Sequence, residues 1–136
     1  MTKPRGIRNN NPGNIRKSAA DWLGEIDGQD DAFETFDTPE HGIRALAKIL
    51  LNYQRKRKLR TISQIISRWA PPNENDTTSY ENAVVVAAGA GVDAVIDLEN
   101  PETLSRIVVA IIHHENGQQP YSVQQISSGI EMAIGS

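Results

Sequence analysis

From Thr38 onward the chain is cut by helix-start and helix-stop residues into segments whose apolar positions recur every three or four residues. That pattern restricts it to a mainly helical fold. Thr38-Pro39 places an N-cap before a proline at the first helical position, and Ile43, Leu46, Ile49, Leu50 and Tyr53 follow as one stripe to about Arg57. Thr61 with Gln64 reads as a capping box backed by Ile62, Ile65, Ile66 and Trp69, and Ala70-Pro71-Pro72 ends that helix. Thr78 with Glu81 reads as another capping box, opening a helix through Val86 that stops near Gly89 and Gly91. Asn100-Pro101 starts the clearest helix, which runs to about Glu115 before Gly117 and Pro120 stop it. An amphipathic segment from Ser122 to Ala133 closes the series.

The first third reads differently. Residues 1–21 form a Gly/Pro/Asn-rich, loop-like arm. Residues 22–36 carry Gly and Asp turn signals between short apolar ends, which predicts a small hairpin turning around Asp27–Asp31. The expected architecture is one domain over residues 1–136, mainly α with α+β character, built from five or more helices and one small β-hairpin. Aromatic residues make up only 5%, so the core has to come from Ile, Leu, Val and Ala. The absence of cysteine excludes disulfides, thiolate metal sites and cysteine nucleophiles. The polar opening has no apolar h-region, and the apolar run Ile107–Ile112 is too short to span a bilayer. These features predict a chain made in the cytoplasm, without membrane insertion, that something else must release or deliver if it works outside the cytoplasm.

Charge is unevenly spread. Residues 1–60 hold 12 basic against 8 acidic residues (+4), and residues 61–136 hold 2 against 9 (−7), which gives the net −3. The strongest basic run, Gln54 to Arg60, has no interleaved aromatic residues and reads as a solvated helix end, so no nucleic-acid partner is expected. His113 and His114 precede Glu115, but neighbours on a helix point about 100° apart and cannot share a metal ion. No metal or cofactor is expected, and the chain is expected to be a monomer.

Glu115 is the residue on which chemistry can rest. In the helix from Pro101 the inward stripe is Leu104, Ile107, Val108 and Ile111, and the next step of that row is Glu115. Partial burial and the negative end of the helix dipole both favour the protonated acid. Glycosidic cleavage needs such an acid, because the leaving oxygen must take a proton as its bond breaks. The plain alternative is a solvated glutamate at a helix end.

Two stretches resemble known enzymes. Ala110 to Ser122, with Glu115, Gly117, Pro120 and Ser122 in place and Asn116 where serine is usual, resembles the catalytic segment of lytic transglycosylases and goose-type lysozymes. Asn11-Pro-Gly-Asn-Ile-Arg16, Trp22-Leu-Gly24 and Phe33 to Gly42 are similar to bacterial and flagellar glucosaminidases, as is the segment Trp69–Tyr80. In those families the glutamate helix precedes the loop and hairpin. Here it comes last, as in a circular permutation. The opening Arg5-Gly-Ile-Arg-Asn-Asn-Asn-Pro-Gly-Asn-Ile-Arg16 also resembles short phage-type proteins linked to virion or lysis functions.

The resemblance implies a lysozyme-like, peptidoglycan-cleaving domain acting between MurNAc and GlcNAc, with glycan strands as its partner and Glu115 as general acid and base. A hydrolase also needs a second carboxyl, and Glu25 in the hairpin, beside Asp27, Asp30 and Asp31, is the rival or companion acid. A solvated turn is the plainer reading of that cluster. Asn14 and Arg16 are expected to line the cleft, and Trp22 and Tyr80 to stack on sugars or fill the core. Asn116 and Tyr121 complete the expected substrate-binding set. A non-catalytic virion or wall-binding protein on the same scaffold is the other function compatible with these residues.

Overall fold

Each helix begins where a side chain can take up a free backbone N–H, the single turn of α1 excepted. In the computed structural model, which describes residues 3–136, the helices are α1 (Arg5–Arg8), α2 (Pro39–Arg55), α3 (Ile62–Trp69), α4 (Thr77–Ala88), α5 (Pro101–Asn116) and α6 (Val123–Ile134). Met1 and Thr2, which begin the polar opening, lie outside the described residues. Thr38 accepts from the His41 amide ahead of α2, and Thr61 and Ser122 form reciprocal capping boxes with Gln64 and Gln125. Asn100 caps α5, with Pro101 in its first turn. Each such cap stabilises a helix start by about 1 kcal/mol.

The start of α4 corrects the sequence reading. Asp76, not Thr78, is the N-cap, and its carboxylate accepts from the Ser79 amide and hydroxyl. The hydroxyl of Thr77 instead donates to the Ala70 carbonyl and ties the α3–α4 loop across its base. The arm is not wholly a loop either, since α1 makes one helical turn there.

The chain forms a mainly helical domain with one two-stranded antiparallel sheet, β1 (Glu25–Ile26) pairing with β2 (Thr35–Phe36). Helix α2 packs chiefly on α6, and α4 on α5. Their buried stripes meet in one core that includes Leu46, Leu50, Ile65, Val84, Leu104, Ile107, Ile111 and Ile130. A smaller cluster of Ile15, Phe36 and Ala45 seats the arm and hairpin on α2, with Trp22, Ile49 and Trp69 against it.

Asparagines hold the arm in place. Asn11, fully buried, donates to the carbonyls of Ile15 and Glu34 and accepts from the Ile15 amide. Asn10 donates to the Phe36 carbonyl, and Asn116 reaches from the end of α5 to the Pro12 carbonyl. The arm is thereby fixed between the hairpin, α2 and the C-terminal end of α5. Among the described residues no helix is long and apolar enough to cross a membrane.

Candidate active site

The last turn of α5 opens onto a cleft. Gly117 ends the helix in the left-handed region (φ 71°), where a side chain would be strained, and its amide closes on the His113 carbonyl. Glu115 therefore stands at the helix end, where it is half-buried and still reaches a cleft of about 300 Å³. Gly13, Asn14, Ile15 and Arg16 from the arm form one wall with Phe33 from the hairpin. Ile49 and Tyr53 of α2, Trp69 of α3 and Glu74 and Asn75 of the α3–α4 loop form the rest.

Three elements converge on the Glu115 carboxyl. Oε1 accepts from Asn14 Nδ2 at 3.0 Å, and Oε2 accepts from the Tyr80 hydroxyl at 2.7 Å. Trp69 Nε1 donates to the Tyr80 hydroxyl at 2.9 Å, so that oxygen is already an acceptor and its single proton is directed at Glu115. Asn14 holds a left-handed backbone (φ 50°) that asparagine tolerates better than most residues. Burial and the neighbouring Glu115 push the Tyr80 hydroxyl far above its ordinary value, so it remains a donor across the working pH range. Both carboxyl oxygens are thus oriented by the protein, and each keeps a further lone pair.

Tyr80 is accordingly a positioning residue. It is 1% exposed and its ring lies against His114 at 3.9 Å between centroids, which leaves no face for a sugar. Tyr80→Phe is expected to leave Trp69 Nε1 unpaired and to lower stability by about 1–3 kcal/mol. It should also loosen Glu115 enough to slow any reaction that residue carries by about tenfold. Calorimetry and wall-clearance rates on the one variant check both.

Of the residues expected at the site, Glu115, Asn14 and Arg16 line the cleft together, and Tyr80 stands behind Glu115. Four are elsewhere. Asn116 is spent on the Pro12 and Ile112 carbonyls. Trp22 lies in a shallow depression with Arg44, Lys48 and Asn52. Tyr121 sits in an apolar groove with Val109 and Ile126, where burial pushes its hydroxyl up to about 12. Glu25 lies on β1 beside Glu34 and is not part of the cleft lining. The second carboxylate in the cleft is Glu74. Asn9, Asn10 and Asn11 of the arm serve the fold and bond to Asp30, Phe36, Ile15 and Glu34.

The sequence reading missed Trp69, Tyr53, Phe33, Glu74 and Asn75 as cleft residues. Trp69 and Tyr53 belong to apolar helical stripes and look like core. The available signal was the Pro-Pro-Asn-Glu turn shortly after Trp69, a break that lifts two polar side chains beside an aromatic one.

Glu34 has a consequence for stability. It is 5% exposed, and burial, reinforced by Glu25 beside it, raises its carboxyl above the ordinary 4.5. The folded state therefore binds the proton more tightly than the unfolded chain does. That contribution is fully present below about 4.5 and is lost as pH rises through the raised value. Glu34→Gln is expected to raise the melting temperature at pH 7 by a few degrees and to leave it nearly unchanged at pH 4. Paired thermal melts at the two pH values check this.

A mainly helical domain whose cleft holds a carboxyl gripped by two neutral donors is thus the class that fold and site define. No family model matches the chain. It is 44% identical over 131 residues to Protein P5 of Pseudoalteromonas phage PM2, a match covering 93% of this chain and 80% of that protein. The chain belongs to the same family as that phage protein.

Proposed function

We propose that this chain is a peptidoglycan-cleaving enzyme on a lysozyme-like scaffold, acting on the glycosidic bond between MurNAc and GlcNAc. The observation that carries the reading is the oriented Glu115 carboxyl at the edge of a cleft walled by aromatic and polar side chains. The resemblance of residues 110–122 to lytic transglycosylases and goose-type lysozymes supports it.

In this mechanism a glycan strand lies between the arm and the α3–α4 loop, with sugar faces against Trp69 and Tyr53. Glu115 gives its proton to the glycosidic oxygen as the bond from that oxygen to C1 of MurNAc breaks. The resulting carboxylate then takes a proton from the nucleophile that bonds to C1. A water gives a hydrolysed end, and the sugar's own hydroxyl gives an anhydro ring. Asn14 and Tyr80 keep the carboxyl at one orientation throughout, so little reorganisation accompanies proton transfer.

The test is incubation of the purified chain with purified bacterial cell walls. Soluble muropeptides in the supernatant are the expected result. Sedimentation of the protein with intact walls, without any release, would instead favour a non-catalytic virion or wall-binding protein on the same scaffold.

A further inference from the structure

Two guanidinium groups share the Phe33 ring, and only one of them is neutralised. Arg5 lies over the ring at 4.4 Å and donates through two nitrogens to Asp30. Asp30 is held well below the usual carboxylate range by that pair, together with the amides of Ala32 and Phe33. Arg16 lies over the same ring at 5.1 Å, and among the described residues it has no ion pair. Its backbone is bridged to Phe33, and the Lys17 amide bonds to the Ala32 carbonyl, so the residue is fixed at its base. The stack leaves the guanidinium edge free to donate, and Arg16 lines the same cleft as Glu115.

A cation that is anchored, stacked and unpaired beside an acidic reacting group suits an anionic substituent on the substrate. Asp30 takes Arg5 out of that role and leaves Arg16 in it. A planar guanidinium receives a carboxylate through two parallel hydrogen bonds, which a neutral sugar cannot supply.

We propose that Arg16 is the specificity-determining residue of the cleft, receiving a carboxylate carried by the acidic sugar of the strand or by the first residues of its peptide. This rests on the glycan-cleaving reading of the same cleft. It adds that the cleft selects carboxylate-bearing glycan over neutral glycan of the same linkage. The lactyl carboxylate and the peptide carboxylate are two sources of one chemistry, and ligands can separate them.

The experiment measures binding rather than turnover, by calorimetry on the full chain carrying Glu115→Gln. The ligands are a GlcNAc–MurNAc oligomer with free lactyl carboxylates, its methyl amide, and the oligomer extended by a dipeptide. The free carboxylate or the dipeptide form is expected to bind about 10–100-fold more tightly than the methyl amide, as a charge-assisted bidentate contact implies. Whichever carboxylate form binds tighter identifies the source. Adding Arg16→Met keeps a side chain against Phe33 and should collapse the difference to within about twofold, whereas a merely structural role would weaken all three ligands alike. The difference should also shrink with added salt. Equal binding of charged and neutral ligands, a difference that survives Arg16→Met, or no binding at all would overturn the proposal. Failure of the wild-type chain to release muropeptides, with an Arg16-dependent difference intact, would remove the cleavage reading and leave this one standing.

Discussion

Glu115→Gln is expected to lower the rate of cell-wall clearance by about 10²–10⁴-fold, the range a positioned general acid supplies. The substitution preserves size and one acceptor oxygen, so either Tyr80 or Asn14 keeps its hydrogen bond. The other donor would face an amide nitrogen, at a cost of about 0.5–1.5 kcal/mol. The core stripe of α5, from Leu104 to Ile111, is untouched. The variant should therefore fold, with a melting temperature a few degrees lower, and still bind walls. Initial clearance rates at matched protein concentration, with a thermal melt on the same sample, separate lost chemistry from lost structure.

Gly42→Ala is expected to produce the largest effect from outside the cleft. A methyl group at that position in α2 would overlap the carbonyl oxygen of Asn10 and press on the Pro12 ring at 3.1 Å. The main obstacle is backbone, which cannot swing aside as a flexible side chain does. Relief requires the arm to lift from α2, at a cost of about 1–3 kcal/mol for overpacking of this kind. The same movement carries Asn14 and Arg16 away from Glu115, so clearance should fall steeply with every cleft residue still present. Gly91→Ala is the control. Its added carbon meets nothing within 4 Å, and it should change stability by no more than about 0.5 kcal/mol. Melting curves and clearance rates for the two variants together check the claim that the arm's seat on α2 builds the site.

Periodicity and caps made the helices legible. Thr38-Pro39, Asn100-Pro101 and the Thr61–Gln64 box mark real helix starts, because capping is chemistry between near neighbours. Helix α4 shows where such reading fails. Thr78 with Glu81 has the form of a capping box, but Asp76 is a stronger acceptor two residues earlier and Thr77 is drawn inward to Ala70. Local pattern cannot see that tertiary pull.

The site followed the same division. Glu115 could be found because the α5 stripe fixes which way it faces, and Asn14 and Arg16 because they offer hydrogen-bond donors on a turn-rich arm. Tyr80 as a partner of Glu115 lies 35 residues away in sequence, and nothing in spacing announces the contact. The other asparagines of the arm serve the fold. A chain that turns sharply over a helix leaves carbonyls without partners, and Asn10 and Asn11 satisfy them from within. Glu25 reads in the sequence as a candidate acid because the burial of Glu34 beside it depends on how the hairpin lies against the body of the domain.

Mass spectrometry of cell-wall digests tests the central claim most directly. Fragments ending in MurNAc, hydrolysed or anhydro, should accumulate with the wild-type chain and be absent with the Glu115→Gln variant under the same conditions. Fragments cut within the peptide stems, or an unchanged set of glycan fragments from that variant, would contradict it.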